Sequence, residues 1–145
     1  MRFYAVLDRI TIFLSRSKTG INYGFADFNF VADTCKAFLA VARSKNTVGE
    51  IINSASNFEI SIEKTALLIS ELMNHSIEIV SEEKRKRPLN SEVNRLFGSN
   101  KKIFSLTDWN LEYGGIEGFK KGLKITIDWF TNSKNLSLYK SGYVI

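Results

Sequence analysis

The chain has 145 residues, 44% of them hydrophobic and 24% charged, with a net charge of +5. That length suits one compact domain, and the balance excludes a disordered or linker-rich protein. A single cysteine, Cys35, excludes an internal disulfide, and with one histidine, His75, no zinc site of the Cys/His type can be assembled from this chain alone.

Val6, Leu7, Ile10, Phe13 and Leu14 recur at helical spacing, so an amphipathic helix is expected over about 5–17, stopped by Gly20. Asp8 and Arg9 interrupt this apolar stretch and no small-x-small site follows, which argues against a secretory signal. No apolar run approaches the roughly 20 residues that span a bilayer. A cytoplasmic protein with no membrane partner is the expectation. Short strands are expected at 21–23 and at 28–31, the latter rich in aromatic and β-branched residues. Asp33 is placed as the N-cap of a helix that would carry Phe38, Leu39, Val41 and Ala42 inward.

Gly49 breaks that helix, and 50–53 reads as a buried strand. Ser61 can cap the next helix, with Ile62, Ala66, Ile69 and Met73 on one face and Asn74 as a left-handed stop. A strand follows at 77–80. Lys84-Arg85-Lys86-Arg87 runs into Pro88 and is expected to be loop, because proline disfavours helix in the residue before it. Ser91 would open a brief helix with Val93, Leu96 and Phe97 clustered, closed by Gly98. A last helix holds Ile116, Phe119, Leu123, Ile127 and Phe130 in one stripe, with Gly118 and Gly122 one turn apart where a neighbour can approach closely.

Two kinds of chemistry have no carrier here. A dinucleotide cradle needs a glycine-rich turn between a strand and a helix. The nearest stretch, Gly115 to Gly122, is off by one residue, follows no apolar strand, and reads as a helix start with packing glycines. None of Tyr4, Tyr23, Tyr113, Tyr139 and Tyr143 has a lysine four positions later, as the catalytic pair of short-chain dehydrogenases requires. Thr107-Asp108 reads as a turn beside Trp109, and a lone His75 near a helix end as structural. The basic residues are interleaved with Glu82, Glu83 and Glu117, and no nucleic-acid module is recognisable, so nucleic acid is not an expected partner.

Five pieces in order carry a resemblance. They are Asp27-Phe28-Asn29-Phe30-Val31-Ala32-Asp33, the strand-turn-helix start from Val48 through Asn57 to Ile62, Arg87-Pro88 with Ser91-Glu92-Val93, the Trp109 turn, and the helix from Gly122 to Phe130. Together they resemble the carboxy-terminal part of NAD-dependent nucleotide-sugar 4,6-dehydratases, extended short-chain dehydrogenases of the epimerase/dehydratase family. The branch acting on UDP-N-acetylhexosamines or GDP-sugars is the nearest.

The resemblance implies an α/β fold of helices with a few short strands. It would be the substrate-binding portion of an extended Rossmann-type enzyme without its cofactor half. Residues 1–47 would be the segment that packs on that half, and 48–145 the nucleotide-sugar-binding region. It implies that Arg87 holds the pyrophosphate and Glu92 the ribose hydroxyls, with Asn57 and Arg85 as further substrate contacts. NAD belongs to the intact family, and none is expected on this chain alone. The partners implied are a nucleotide sugar and either a separate cofactor-domain polypeptide or a second copy. The chain departs from the pattern at Ala26, where the family has arginine, so one phosphate contact is missing. It departs again after Trp109, where Asn110 replaces proline. A truncated, inactive dehydratase is the first expectation. A non-catalytic interaction subunit and a nucleotide-sugar epimerase fragment are the alternatives.

Overall fold

The computed structural model describes residues 2–6, 9–14, 24–81 and 95–138. Strands β1 (Arg2–Val6) and β2 (Arg9–Leu14) pair antiparallel, with Val6 opposite Arg9. β3 (Phe25–Asp27) leads to α1 (Val31–Arg43) and a 3₁₀ turn, Lys45–Thr47. β4 (Glu59–Ser61), α2 (Ile62–Met73) and β5 (Ile77–Ser81) follow, then α3 (Lys101–Leu106), α4 (Gly115–Thr131) and α5 (Ser133–Leu138). β5 joins β2 in parallel, giving a sheet of order β1-β2-β5, and β3 pairs antiparallel with β4 in a second, two-stranded sheet. Among the described residues no helix is long and apolar enough to cross a membrane.

The amino-terminal expectation fails. The stretch read as a helix over 5–17 holds parts of two strands. A short apolar run fits both the 3.6 and the 2.0 period, and the choice falls to composition. Ile10-Thr11-Ile12-Phe13 and Phe3-Tyr4 are β-branched or aromatic, which favours the pleated conformation. The strand expected at 28–31 lies three residues earlier, at β3, and 50–53 forms no strand, with Ile51 87% exposed. The expected strand at 21–23 and the loop 84–88 lie outside the described residues. So does the start of the helix expected from Ser91, and its described end, 95–98, is not helical.

α2 matches its reading closely. Ser61 Oγ accepts the Lys64 backbone N–H at 3.1 Å, and Asn74 ends the helix at φ 52°, ψ 40°. Ala66 on its inner face packs with Ile62 and with Ile77 and Ile79 of β5. Leu68 joins Ile60 and Phe119, with Phe28, Phe58, Ile116 and Leu123 around them, so α2, β4 and α4 share a second cluster. Gly122 lets α4 approach Phe30, whose ring would lie 3.1 Å from a β-carbon at 122.

α1 is turned away from its expected orientation. Ala37 and Ala40 are buried, with Ile103 and Trp109, while Phe38 is 73% exposed and Leu39 is also exposed. The cause is Asp33. It is not the N-cap, a position held by Phe30, but a fully buried residue of the first turn. Its carboxylate accepts the backbone N–H groups of Glu112 at 3.1 Å and Tyr113 at 2.8 Å, and its carbonyl accepts the Trp109 indole N–H at 3.0 Å. A buried carboxylate is tolerated only where donors meet it. Asp33 therefore sets the rotation of α1, and the alanines one and two turns on follow it inward.

Candidate functional site

The site builds from Asp27, the last residue of β3. One carboxylate oxygen accepts both the Ser56 backbone N–H at 2.9 Å and the Ser56 hydroxyl at 2.5 Å. The other accepts the Asn57 N–H at 3.1 Å and the Gly98 N–H at 3.2 Å. One side chain thus draws together loop 54–58 and the stretch after Arg95. Hydrogen bonds to an ionised acceptor are the stronger kind, and four on one group define a rigid corner. Gly98 is required at this junction, because a β-carbon there would collide with that of Ala55.

Two asparagines tighten the same loop. Asn100 Nδ2 donates to the Ala55 carbonyl at 3.2 Å, and Asn29 Nδ2 donates to the Ser54 carbonyl at 2.7 Å. The other amide atom of Asn29, Oδ1, is buried with no donor among the described residues. It belongs to a side chain that lines a cavity of about 150 Å³ between the 28–30 stretch and α4. Water suffices to fill such a space.

Asn57 sits at the apex of the loop with φ 54°, a left-handed conformation that asparagine accepts more readily than most residues. Its side chain is exposed. Two residues on, Glu59 receives the Arg95 guanidinium through Nε and Nη2 in a two-point pair, and this ion pair raises the Arg95 pKa above its ordinary value. The Leu96 N–H donates to the Phe25 carbonyl at 3.0 Å, so the chain re-enters alongside β3.

β5 ends at Ser81, paired to β2, and Arg95 lies alongside β3 beside the Asp27 corner. Of the four residues expected to hold substrate, Asn57 is placed at that corner, with its backbone N–H committed to Asp27. Arg85, Arg87 and Glu92 lie outside the described residues. Asp27 is not legible from sequence as an organiser, because nothing in its neighbourhood announces partners 29 and 71 positions away. Gly98, expected as a helix stop, is a close-approach glycine.

A second depression of about 400 Å³ lies between the end of α1 and the end of α3, lined by Arg43, Ser44, Asn46 and residues 105–108. It is a broad open trough. The Ser44 and Thr107 hydroxyls on it are spent on the Leu106 and Ile103 carbonyls.

Among the described residues the glycines around α4 form no dinucleotide cradle. Gly115 opens α4 at φ 64°, but no strand precedes it. A β-carbon at Gly118 would strike the Tyr113 backbone, and Gly122 faces Phe30. Gly118 and Gly122 serve the close packing of α4 against its neighbours. Among the described residues no cluster could hold a metal ion.

No family model and no curated protein matches the chain. Solved structures do. An epimerase of Methanothermobacter thermautotrophicus superposes with a TM-score of 0.71 at 25% identity, over 90% of this chain and 34% of its own. A dTDP-glucose 4,6-dehydratase of Bacillus anthracis in complex with NAD gives 0.66 at 23% identity, over 91% and 37%. A UDP-glucose 4-epimerase of Thermotoga maritima with UDP-glucose gives 0.67 at 18% identity, over 90% and 36%. The chain spans little more than a third of the solved structures it matches. Likeness at this level establishes the fold, a mixed α/β portion of the extended Rossmann-type epimerases and dehydratases.

Proposed function

We propose that this chain is the nucleotide-sugar-binding part of an NAD-dependent 4,6-dehydratase, acting on a UDP-N-acetylhexosamine or a GDP-sugar, with Arg87 on the substrate's diphosphate. The observation that carries the reading is the Asp27 corner. It brings the Asn57 loop together with Arg95 and Gly98, within an architecture shared with enzymes of nucleotide sugars. A guanidinium fork suits a diphosphate because two parallel N–H donors meet two oxygens, and Glu92 would accept from the ribose hydroxyls. An epimerase is the alternative, supported by the epimerases of Methanothermobacter thermautotrophicus and Thermotoga maritima among the matched structures.

The polypeptide carries neither a glycine fingerprint nor a tyrosine followed four positions later by lysine. Hydride transfer and proton transfer would come from the cofactor half. The test is calorimetric titration of the 145-residue chain with UDP-N-acetylglucosamine and GDP-mannose at low salt. Binding of one of them is expected, weakened about tenfold or more by Arg87→Ala, since a charge-assisted pair is worth about 1.5–3 kcal/mol. Absence of binding to both at millimolar concentration overturns the reading. No 4-keto sugar should form with added NAD, and its detection by mass spectrometry would overturn the expected dependence on a second half.

A further inference from the structure

The trough between the ends of α1 and α3 has a fixed floor and uncommitted walls. Ser44 Oγ donates to the Leu106 carbonyl at 2.6 Å and accepts the Asn46 backbone N–H at 3.2 Å. Thr107 Oγ1 donates to the Ile103 carbonyl at 2.7 Å and accepts the Trp109 backbone N–H at 3.1 Å. Each hydroxyl is used in both directions, and the Ser44 bond ties one helix end to the other. The surface between them is therefore held ready, with little ordering left for a ligand to impose. Around that floor stand Arg43, Asn46 and Asp108, all exposed, whose side chains meet no partner among the described residues.

Arg43 and Asp108 carry opposite charges on one trough and do not pair with each other. Elsewhere on the surface such groups do meet, as Lys36 and Lys121 meet Glu112 and Lys102 meets Glu50. Here a whole cation and a whole anion are left facing the same space. At about 400 Å³ that space falls within the roughly 300–1,000 Å³ of small-molecule sites. α1 and α3 both end at it, and the partial negative charge of a helix carboxy terminus adds to Asp108 in favouring an ammonium group. The Arg43 fork offers parallel N–H donors that match the two oxygens of a carboxylate. Leu106 supplies the apolar part of the lining.

The geometry points to a site for a free α-amino acid with an aliphatic side chain. Arg43 takes the α-carboxylate, Asp108 takes the α-ammonium group, Asn46 donates or accepts beside them, and the side chain lies on Leu106. This site goes beyond the proposed function and uses neither Asp27 nor Asn57.

The test is calorimetric titration of the 145-residue chain with L-leucine and with two analogues that each lack one charge, 4-methylpentanoate and 3-methylbutylamine. L-leucine should bind about tenfold or more tighter than either, the factor that one charge-assisted contact supplies. Asp108→Asn should bring L-leucine down to the level of 4-methylpentanoate and leave that analogue unaffected. Arg43→Gln should bring it down to the level of 3-methylbutylamine. Both residues are exposed, and unchanged melting temperatures would show that the variants fold. No binding of L-leucine at millimolar concentration overturns the inference. So does equal binding of the three compounds, or an affinity that survives both substitutions. Nucleotide-sugar binding should be the same in both variants as in the parent. Its loss in a folded variant would make the trough part of the nucleotide-sugar site and overturn the inference equally, while the proposed function would stand.

Discussion

Asp27 and Asp33 stand six residues apart and do similar chemistry to different ends. Each gathers backbone N–H groups from stretches remote in sequence. Asp33, fully buried, takes two from the corner before α4 and so joins α1 to the Trp109 turn. Asp27, half-buried at the end of β3, takes three backbone N–H groups and a hydroxyl from the loops around Asn57 and Gly98. One carboxylate orients a helix. The other shapes the rim where a ligand is proposed to bind. Burial, more than the number of bonds, separates the two roles. Groups released in the interior find no water, while those released at the rim are partly rehydrated.

Removing Asp33 should be the most damaging single change. Asp33→Ala leaves two backbone donors and a cavity behind, and a loss of about 3–4 kcal/mol is expected, enough to unfold much of a marginal domain at 37 °C. Denaturant melting checks it. An equal loss from Asp33→Asn would show that charge matters more than the acceptor oxygen. Asp27→Ala should cost less, about 2 kcal/mol, because its loops are nearer solvent. It should also weaken nucleotide-sugar binding at least as much as Arg87→Ala does. If Asp27→Ala lowers stability and leaves affinity untouched, the two carboxylates are equivalent scaffold groups and the contrast between them fails.

These residues also divide what could be read from the sequence from what could not. α2 was legible at both ends because Ser61 and Asn74 act through bonds within a few residues, and local chemistry is written locally. β5 and α4 were legible for the same reason, through period and composition. The orientation of α1 was not. Phe38 and Leu39 are the larger apolar side chains, and hydrophobicity alone sends them inward. The decision belonged to the Asp33 carboxylate and to amides 79 and 80 residues away. The two amino-terminal strands were misread because a run of a few apolar residues supports either period. Of the expected binding residues, only Asn57 falls where the structure describes it. Asp27 and Gly98, which shape its loop, matter through long-range closure that no spacing rule reveals.

The exposed side of the Asp33 corner gives a smaller, pH-dependent effect. Glu112 donates its backbone N–H to Asp33, while its carboxylate pairs with Lys121 at 2.6 Å and Lys36 at 2.7 Å. The hydrogen bonds from Lys121 and then Lys36 hold its pKa at about 2, against an ordinary 4.5. The folded form therefore binds this proton less readily than the unfolded chain. Its stabilisation is complete above about pH 4.5 and is lost as pH falls toward 2. Glu112→Gln should flatten the acid limb of a melting-temperature profile between those limits. The change at pH 7 should be small, because solvent screens exposed pairs. An unaltered acid limb would show that the two lysines contribute nothing to holding α1 against α4.

The smallest expected effect lies on the opposite side of α1 from Asp33. Phe38 is the largest apolar side chain of the outer stripe of α1, which it forms with Val31 and Leu39, and is 73% exposed. Replacing a buried phenylalanine with aspartate would cost several kcal/mol, from the cavity and from the stranded charge together. At an exposed helix position the change is limited to helix propensity, about 0.5 kcal/mol or less. Phe38→Asp should therefore leave the melting temperature of the isolated chain within about 1–2 °C of the parent, the shift such an energy produces in a domain of this size. It should also raise solubility, by breaking the apolar stripe with a charge. A large fall in melting temperature would mean that the outer face is already covered within this chain. Asp33 would then no longer be the group that decides which side of the helix faces in.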